Sequence, residues 1–395
     1  MNVHADPAER HEALRQQVRE FACAEIAPRI AEMEATGGVD HEVPALIAKQ
    51  GWIAVTVGAE HGGMNAGHLA KTLVIEELSR VSGAMGAMAQ ASMLGAAKII
   101  HFGSGEQQRT WLPRVADGSC LPTIAVTEPG SGGHVLGMAS TARRRGREYV
   151  LTGRKVYVGN SHIGDLHGVV VRTGRGSKGL SAFLVEADRP GFSLAPHRPS
   201  MGLHGFSFGE ITLDQCRIPA SNLIGEHGDG LAVAYSSSVL YGRPNLTAVA
   251  LGIHQAIMDE TVRFVQERER YGGPLADLPT IRQRVGAMQS RLMAARTVAY
   301  DAVHRLDQGL PCDPELMNAK YVNVEAVLDT ARTAMEIHAA AGLQKDRPLE
   351  RLVRDAFHIY APAGTGDIQL HRLAEEALGT SRGQWSQRLL PAPVA

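Results

Sequence analysis

Apolar residues recur at spacings of three to five through the first third of the chain. Leu14, Val18, Phe21 and Ile26 fall on one helix face, and the pattern predicts helices from about Pro7 to Pro113. The Gly/Ala/Met-rich run Ser82–Ala97 has small residues where two helices could approach closely, and it reads equally as ordinary helical core. From about Thr123 to Glu226 the period changes. Glu148–Asn160, Gly168–Val171, Ser181–Glu186 and Glu210–Leu213 are short β-branched or aromatic runs separated by Gly, Pro, Asp and Asn, as in a β-domain. Helical periodicity then returns in Gly230–Arg270, Thr280–Leu306, Pro314–Ala341 and Gly366–Ala377, broken at Gly272-Gly273-Pro274, Gly309-Leu310-Pro311 and Gly342–Pro348. The predicted fold is α+β and multidomain: an N-terminal helical domain (1–120), a middle β-domain (121–228), a C-terminal four-helix bundle (229–380) and a poorly ordered tail (381–395, with order already fading from Gly379).

Composition narrows the function. The 395 residues hold 40 Lys+Arg against 41 Asp+Glu, and this balance gives no field for gathering nucleic acid or an anionic membrane. Cys23, Cys120, Cys216 and Cys312 are scattered without a CxxC pair and read as reduced, buried small residues. The seventeen histidines show no HExxH or other tight ligand spacing, so no metal site is expected. Gly174–Gly179 (GRGSKG) matches GxGxxG. It lies between two strand-like runs rather than opening a helix, so a charged hairpin loop is expected there. The polar N-terminus has no signal-peptide core and no stretch reaches the ~18 apolar residues of a membrane span, so a cytoplasmic location is expected.

The motifs at the joints of this plan are informative together. Gly103–Pro113 (GSGEQQRTWLP), Val126–Gly132 (VTEPGSG), Gly153–Asn160 (GRKVYVGN), Met201–Gly205 (MGLHG), Ile218–Gly230 (IPASNLIGEHGDG), Arg268–Pro274 (RERYGGP), Arg354-Asp355 and Gly364-Thr365 follow in order. In this order they resemble the acyl-CoA dehydrogenase family over nearly the whole chain. The resemblance implies that the β-domain is the family's barrel or sandwich. It also implies a homo-oligomer, dimer or tetramer, with FAD between the β-domain of one subunit and the bundles of two. In that family a thioester on CoA or a carrier protein loses an α-proton to a glutamate, and the flavin takes a hydride from the β-carbon.

Carried over residue by residue, the resemblance leaves the base missing. Ala356–Ala363 span the family's interval between Arg354-Asp355 and Gly364-Thr365, so Ala363 falls on the glutamate of medium-chain-type members and Pro362 on the tyrosine before it. The second glutamate address in the family precedes the arginine matched by Arg243, and here it is Gly242. On the flavin ring side the resemblance implies Val126, Thr127, Gly133 (a family serine, followed by His134 for an aspartate), Tyr157 (for the covering tryptophan) and Gly159 (for the Thr or Ser near N5). On the nucleotide side it implies Arg268, Tyr271, Glu336, Ala340, Thr365 and Asp367, with Pro279 for a family glutamine. Glu336 brings a negative charge toward a diphosphate, and Ala339 and Ala340 stand where glycines allow close approach. Asp367 also reads as a cap of its helix. Arg243 is a substrate contact or an ion-paired helix-start residue, and Gly364 lies beside the substrate. Tyr241 is a hydrogen-bond donor, a base if its pKa is lowered, or wall packing. His204 is expected at the surface or between domains, and His358 is expected to face away from the flavin.

The reading these residues support is a divergent flavoprotein oxidoreductase of specialised metabolism acting on acyl-CoA or an acyl carrier protein without the standard glutamate. Its electron acceptor is a partner or O2. A flavin-dependent oxygenase of the same fold needs no α-proton base. A silent subunit of a heteromer, or a flavin-free non-redox enzyme, is the third reading.

Overall fold

The computed structural model of the protein describes residues 7–381 and 383–389. Its first six α-helices are α1 (Pro7–Phe21), α2 (Ile30–Thr36), α3 (Glu42–Lys49), α4 (Gly67–Val81), α5 (Gly83–Phe102) and α6 (Gly105–Ala116). Leu14, Val18 and Ile26 are buried as their spacing requires. α6 begins in a capping box: Ser104 Oγ accepts from Gln107 N (3.2 Å) and Gln107 Oε1 accepts from Ser104 N (3.1 Å). α5 settles the small-residue question in favour of close approach. A Cβ on Gly86 would lie 1.7 Å from Ser79 Oγ of α4, and one on Gly95 would lie 2.3 Å from Pro122 O.

The strands that follow are β1 (Pro122–Ala125), β2 (Thr141–Arg145), β3 (Glu148–Gly159), β4 (Leu166–Arg172), β5 (Leu180–Glu186), β6 (Phe192–Leu194), β7 (Phe208–Pro219) and β8 (Leu223–Ile224). They form one sheet in the order β6-β7-β3-β2-β4-β5-β8, with β1 parallel to β4. GRGSKG is the turn of the antiparallel β4–β5 hairpin, as expected. The long β3–β7 pair slips register between Lys155 and Val158, and this bulge carries Tyr157 at φ 56°.

The C-terminal helices are α7 (Gly230–Ser237) and α8 (Arg243–Glu267), joined by a wide π-turn at Ser238–Gly242. A short hairpin, β9 (Glu269–Arg270) and β10 (Gly273–Pro274), follows. α9 (Pro279–Asp307), α10 (Asp313–His338), α11 (Pro348–His358) and α12 (Gly366–Ala377) complete the bundle. The expected four segments therefore become a larger set, since α11 arises in the stretch assigned to a break and its surroundings. The tail expectation is corrected in part. Trp385–Leu389 form α13, whose amides at Trp385 and Ser386 donate to Asp313 at 2.7 and 2.9 Å. Residues 382 and 390–395 of that tail lie outside the described residues. Cys120, Cys216 and Cys312 are buried as expected, whereas Cys23 is exposed. No helix among the described residues is long and apolar enough to cross a membrane, and no metal-ligand cluster occurs among them.

Candidate active site

The three layers meet around a cavity of about 900 Å³. One wall is α5, where Ala87 and Ala91 are short enough to leave room and Gln90 and Leu94 project between them. The opposite wall comes from the β-domain. Lys155 Nζ donates to Val126 O (2.9 Å) and to Glu128 Oε1 (2.7 Å), and Val156 N donates to Thr127 O (2.9 Å). Thus the VTEPGSG and GRKVYVGN motifs are stitched together through a buried ion pair. Burial pushes the Glu128 carboxyl up, but the bonds from Lys155, Ser140 and Ala139 outweigh it and hold it below the usual carboxylate range.

Val126, Thr127, Gly133, Tyr157 and Gly159 line this wall. A Cβ on Gly132 or Gly133 would meet nothing within 4 Å, so the loop leaves an open cradle. Tyr157 is 64% exposed, a flat ring presented by the β3 bulge, and packs on Phe208 in a tilted arrangement, 5.6 Å between centroids and 31° between planes. Gly159 is different. A Cβ there would sit 3.0 Å from Ala91 Cβ and 3.1 Å from Phe206 Cζ, so Phe206 fills the space a Ser or Thr side chain would need. Phe206 and Phe208 both line the cavity. The sequence reading missed them because a strand's approach residues look like ordinary core.

The helical end is closed by Gly242, Arg243, Ala363, Gly364 and Thr365. A Cβ built on Gly242 lies 3.4 Å from Ala363 Cβ, so the two vacant glutamate addresses face one point from opposite walls. Among the described residues lining the cavity none is Asp or Glu. The 360–364 loop is held from behind: Gln369 Nε2 donates to Ala363 O (3.1 Å) and Gly364 O (3.2 Å), and Lys320 Nζ donates to Tyr360 O (3.1 Å) and to Gly364 O. Arg243 is 5% exposed, donates from Nε to Gln369 Oε1 (2.9 Å), and leaves NH1 buried without a partner. Burial lowers its pKa to about 10, so it stays cationic at neutral pH. The ion-paired reading of Arg243 is therefore corrected: among the described residues no carboxylate bonds it.

Several expected site residues lie elsewhere. Tyr241 turns away from the cavity, its OH 3.3 Å from Thr56 Oγ1 and its ring under Lys71 Nζ at 4.3 Å. Burial raises its pKa to about 12, which overturns the reading of a base with a lowered pKa. The π-turn ending at Gly242 explains the rotation, since a wide turn shifts the next side chains off the 3.6-residue stripe. Arg268, Tyr271, Glu336, Ala340 and Asp367 are exposed and do not line the cavity. Tyr271 is 92% exposed, and Glu336 pairs with Arg284 at 3.3 Å. Asp367 lies in the first turn of α12, whose N-cap makes no side-chain cap hydrogen bond, so the capping expectation is also corrected. His204 lies between domains as expected, with Nδ1 3.3 Å from Glu34.

His358 reverses its expectation and lines the cavity. Its ring meets Phe208 edge-on at 5.3 Å, its Nδ1 is buried without a partner, and burial lowers its pKa to about 4. Gln90 Oε1 is likewise unpartnered. Three cavity-lining groups, Gln90, Arg243 and His358, thus hold buried polar atoms without a hydrogen-bond partner.

Ala339 carries the backbone of a residue that is not alanine. Its φ of 50° and ψ of −135° lie in the region glycine favours. Ala339→Gly is expected to raise stability by about 1 kcal/mol by releasing that strain. Denaturant midpoints of the two proteins check it, and an unmoved midpoint would place no strain there.

Comparison with known proteins bears on the whole chain. Profiles of the acyl-CoA dehydrogenase N-terminal, middle and C-terminal domains match residues 8–119, 123–216 and 228–378. An acyl-CoA dehydrogenase of Bacillus subtilis is 33% identical over 369 residues, covering 93% of this chain and 97% of that one. A 3-(aryl)acrylate reductase of Clostridium sporogenes is 32% identical over 374 residues, covering 94% and 99%. The solved structure of an acyl-CoA dehydrogenase complexed with FAD from Bacillus anthracis superposes with a TM-score of 0.88 at 25% identity, covering 94% of this chain and 67% of that one.

Proposed function

Because the chain belongs to the acyl-CoA dehydrogenase family, we propose that it is an FAD-dependent oxidoreductase acting on an acyl thioester, of CoA or of a carrier protein, without the family's glutamate base. The observation that carries this reading is the cavity itself: ring-side residues and both vacant glutamate addresses converge on one space with no acidic side chain among the described residues of its lining. The cradle at Gly132 and Gly133 and the open face of Tyr157 fit a flat ring there. Val126, Thr127 and Gly159 would flank that ring, and Thr365 would close it from α12. Arg268, Tyr271, Glu336 and Ala340 sit on the outer surface of the bundle, so they would reach the nucleotide of a neighbouring subunit in a homo-oligomer. When bound, the flavin supplies hydride acceptance or donation. The chain's own part is different. Gln369 and Lys320 fix the 363–364 loop, and the aromatic wall of Phe206 and Phe208 keeps water from the reacting carbons. Proton transfer at the α-carbon has no resident carboxylate.

The acid-free lining also favours a second reading, flavin-dependent oxygenation, which needs no base at either address. The visible absorption spectrum of the purified protein with its flavin-to-chain ratio tests the first. A ratio near one is expected, and a colourless protein that ignores added FAD would overturn it. Stoichiometric O2 uptake with oxygen incorporated into product would move the assignment to the second.

A further inference from the structure

We propose that Arg243 forms an anion subsite at the α8–α12 corner of the cavity, and that the substrate carries a free carboxylate that this guanidinium binds. This deepens the proposed function and rests on it for the identity of the cavity as the substrate's.

A cation buried this deeply requires compensation, and this one has little. Its Nε is spent on a neutral amide, that of Gln369, while NH1 is buried with no hydrogen-bond partner. Of the charged groups around it, Arg372 and Lys320 are cations that repel it, and the acid that favours its charge is Asp313. Both Asp313 oxygens are already engaged by the amides that start α13. Arg372, also in the lining, is paired with Glu375 at 2.6 Å. α12 begins at this corner too, so its positive end reinforces the field. Among the described residues no acid in the lining opposes it.

A wholly neutral acyl group would leave the guanidinium as it stands, buried and short of one partner. A carboxylate would take the NH1 donor in a charge-assisted bond. Two substrate classes supply that chemistry. One is a thioester whose acyl chain bears a second, free carboxylate; the other is an unesterified acid.

Binding to the full-length protein as purified, measured by calorimetry with two matched pairs, separates them. Cinnamate against cinnamamide probes the free acid. The glutaryl against the valeryl thioester of N-acetylcysteamine probes the distal carboxylate. The carboxylate of one pair is expected to bind at least tenfold more tightly than its neutral counterpart, and the responding pair names the source. Arg243→Gln should reduce that preference to within twofold. Because this change also removes the bond to Gln369, Gln369→Glu provides the check: it keeps Arg243 but offers it a carboxylate from the protein, and it should abolish the preference as well. No carboxylate preference in either pair, or a preference that survives Gln369→Glu, overturns the subsite. The flavin content of the same samples is read separately. A flavin-free protein that prefers carboxylates would refute the proposed function and leave the subsite standing, and a flavin-bound protein indifferent to charge would do the reverse.

Discussion

Ala363→Glu is expected to raise the rate of α,β-desaturation of a saturated acyl thioester by about 10²–10⁴-fold, the usual contribution of a positioned general base. The geometry supports an installed carboxylate at this point. Ala363 lines the cavity, and its loop is pinned by Gln369 and Lys320 through the carbonyls of Ala363 and Gly364 rather than through the side chain. Its φ of 56° is already tolerated by one L side chain, so glutamate adds no new backbone demand. Gly242→Glu is the independent control. Its Cβ would start 3.4 Å from that of Ala363, so a carboxylate from α8 can reach the same point from the other wall. Each single variant should gain rate. The double variant should gain less than the better single one, because two carboxylates sharing one site push one pKa up and cost the base its charge. Turnover with a dye acceptor and the exchange of α-hydrogen for solvent deuterium read the effect. If both single variants bind flavin yet show no gain in deuterium exchange, the reacting carbon does not lie between Gly242 and Ala363.

The register that places Ala363 at a glutamate address rests on the family resemblance together with spacing. The interval Ala356–Ala363 has no gap to place, and α12 spans Gly366–Ala377 as its periodicity requires. The hairpin reading of GRGSKG held because two apolar runs of strand length flank it. What was not legible is the direction of individual side chains near irregular backbone. Tyr241 precedes Gly242 by one residue, and sequence proximity placed it near the cavity. The π-turn sends it instead to Lys71 and Thr56. His358 ends α11, where the turn into the 359–365 loop decides whether the ring faces in or out, and no periodicity reaches across that break. Phe206 is a tertiary case. Its ring occupies the space above Gly159, a residue 47 positions earlier, and only the β3–β7 pairing brings the two together. Arg268, Tyr271 and Glu336 lie at the surface, and under the proposed function they would serve a neighbouring subunit's nucleotide, an assignment that no single sequence marks.

Stability is expected to climb steadily from pH 5 to pH 9 rather than to peak near neutrality, and its steepest loss is expected on acidification. His167, His254 and His338 are buried. Burial lowers their pKa to about 3, 3 and 4, with the nearby charges of Lys98, of Arg296 and Arg291, and of Arg347 and Arg263 acting in the same direction. Below pH 6.5 the unfolded chain takes up protons that these folded imidazoles refuse, so the unfolded state gains on the folded one as pH falls. At pH 5 each group costs at most about 2 kcal/mol, since one pKa unit corresponds to about 1.4 kcal/mol. The three together reach several kcal/mol, a large share of the roughly 5–15 kcal/mol that holds a typical domain. The same sign continues upward through lysine. Burial pulls Lys71 and Lys98 to about 7 from 10.5, so between those values the unfolded chain again binds more protons and rising pH favours the fold. Asp355, whose pKa burial raises, opposes the trend. Denaturant titrations at pH 5, 6, 7, 8 and 9 measure the slope, and a flat curve between pH 5 and 7 would refute the account. His338→Phe isolates one contribution. Both His338 ring nitrogens are unpartnered, and the ring stacks on Phe264 at 3.9 Å, so phenylalanine keeps the packing and removes the proton. The variant's margin over the parent should widen by about 2 kcal/mol between pH 7 and pH 5, because only the titrating ring loses stability over that range.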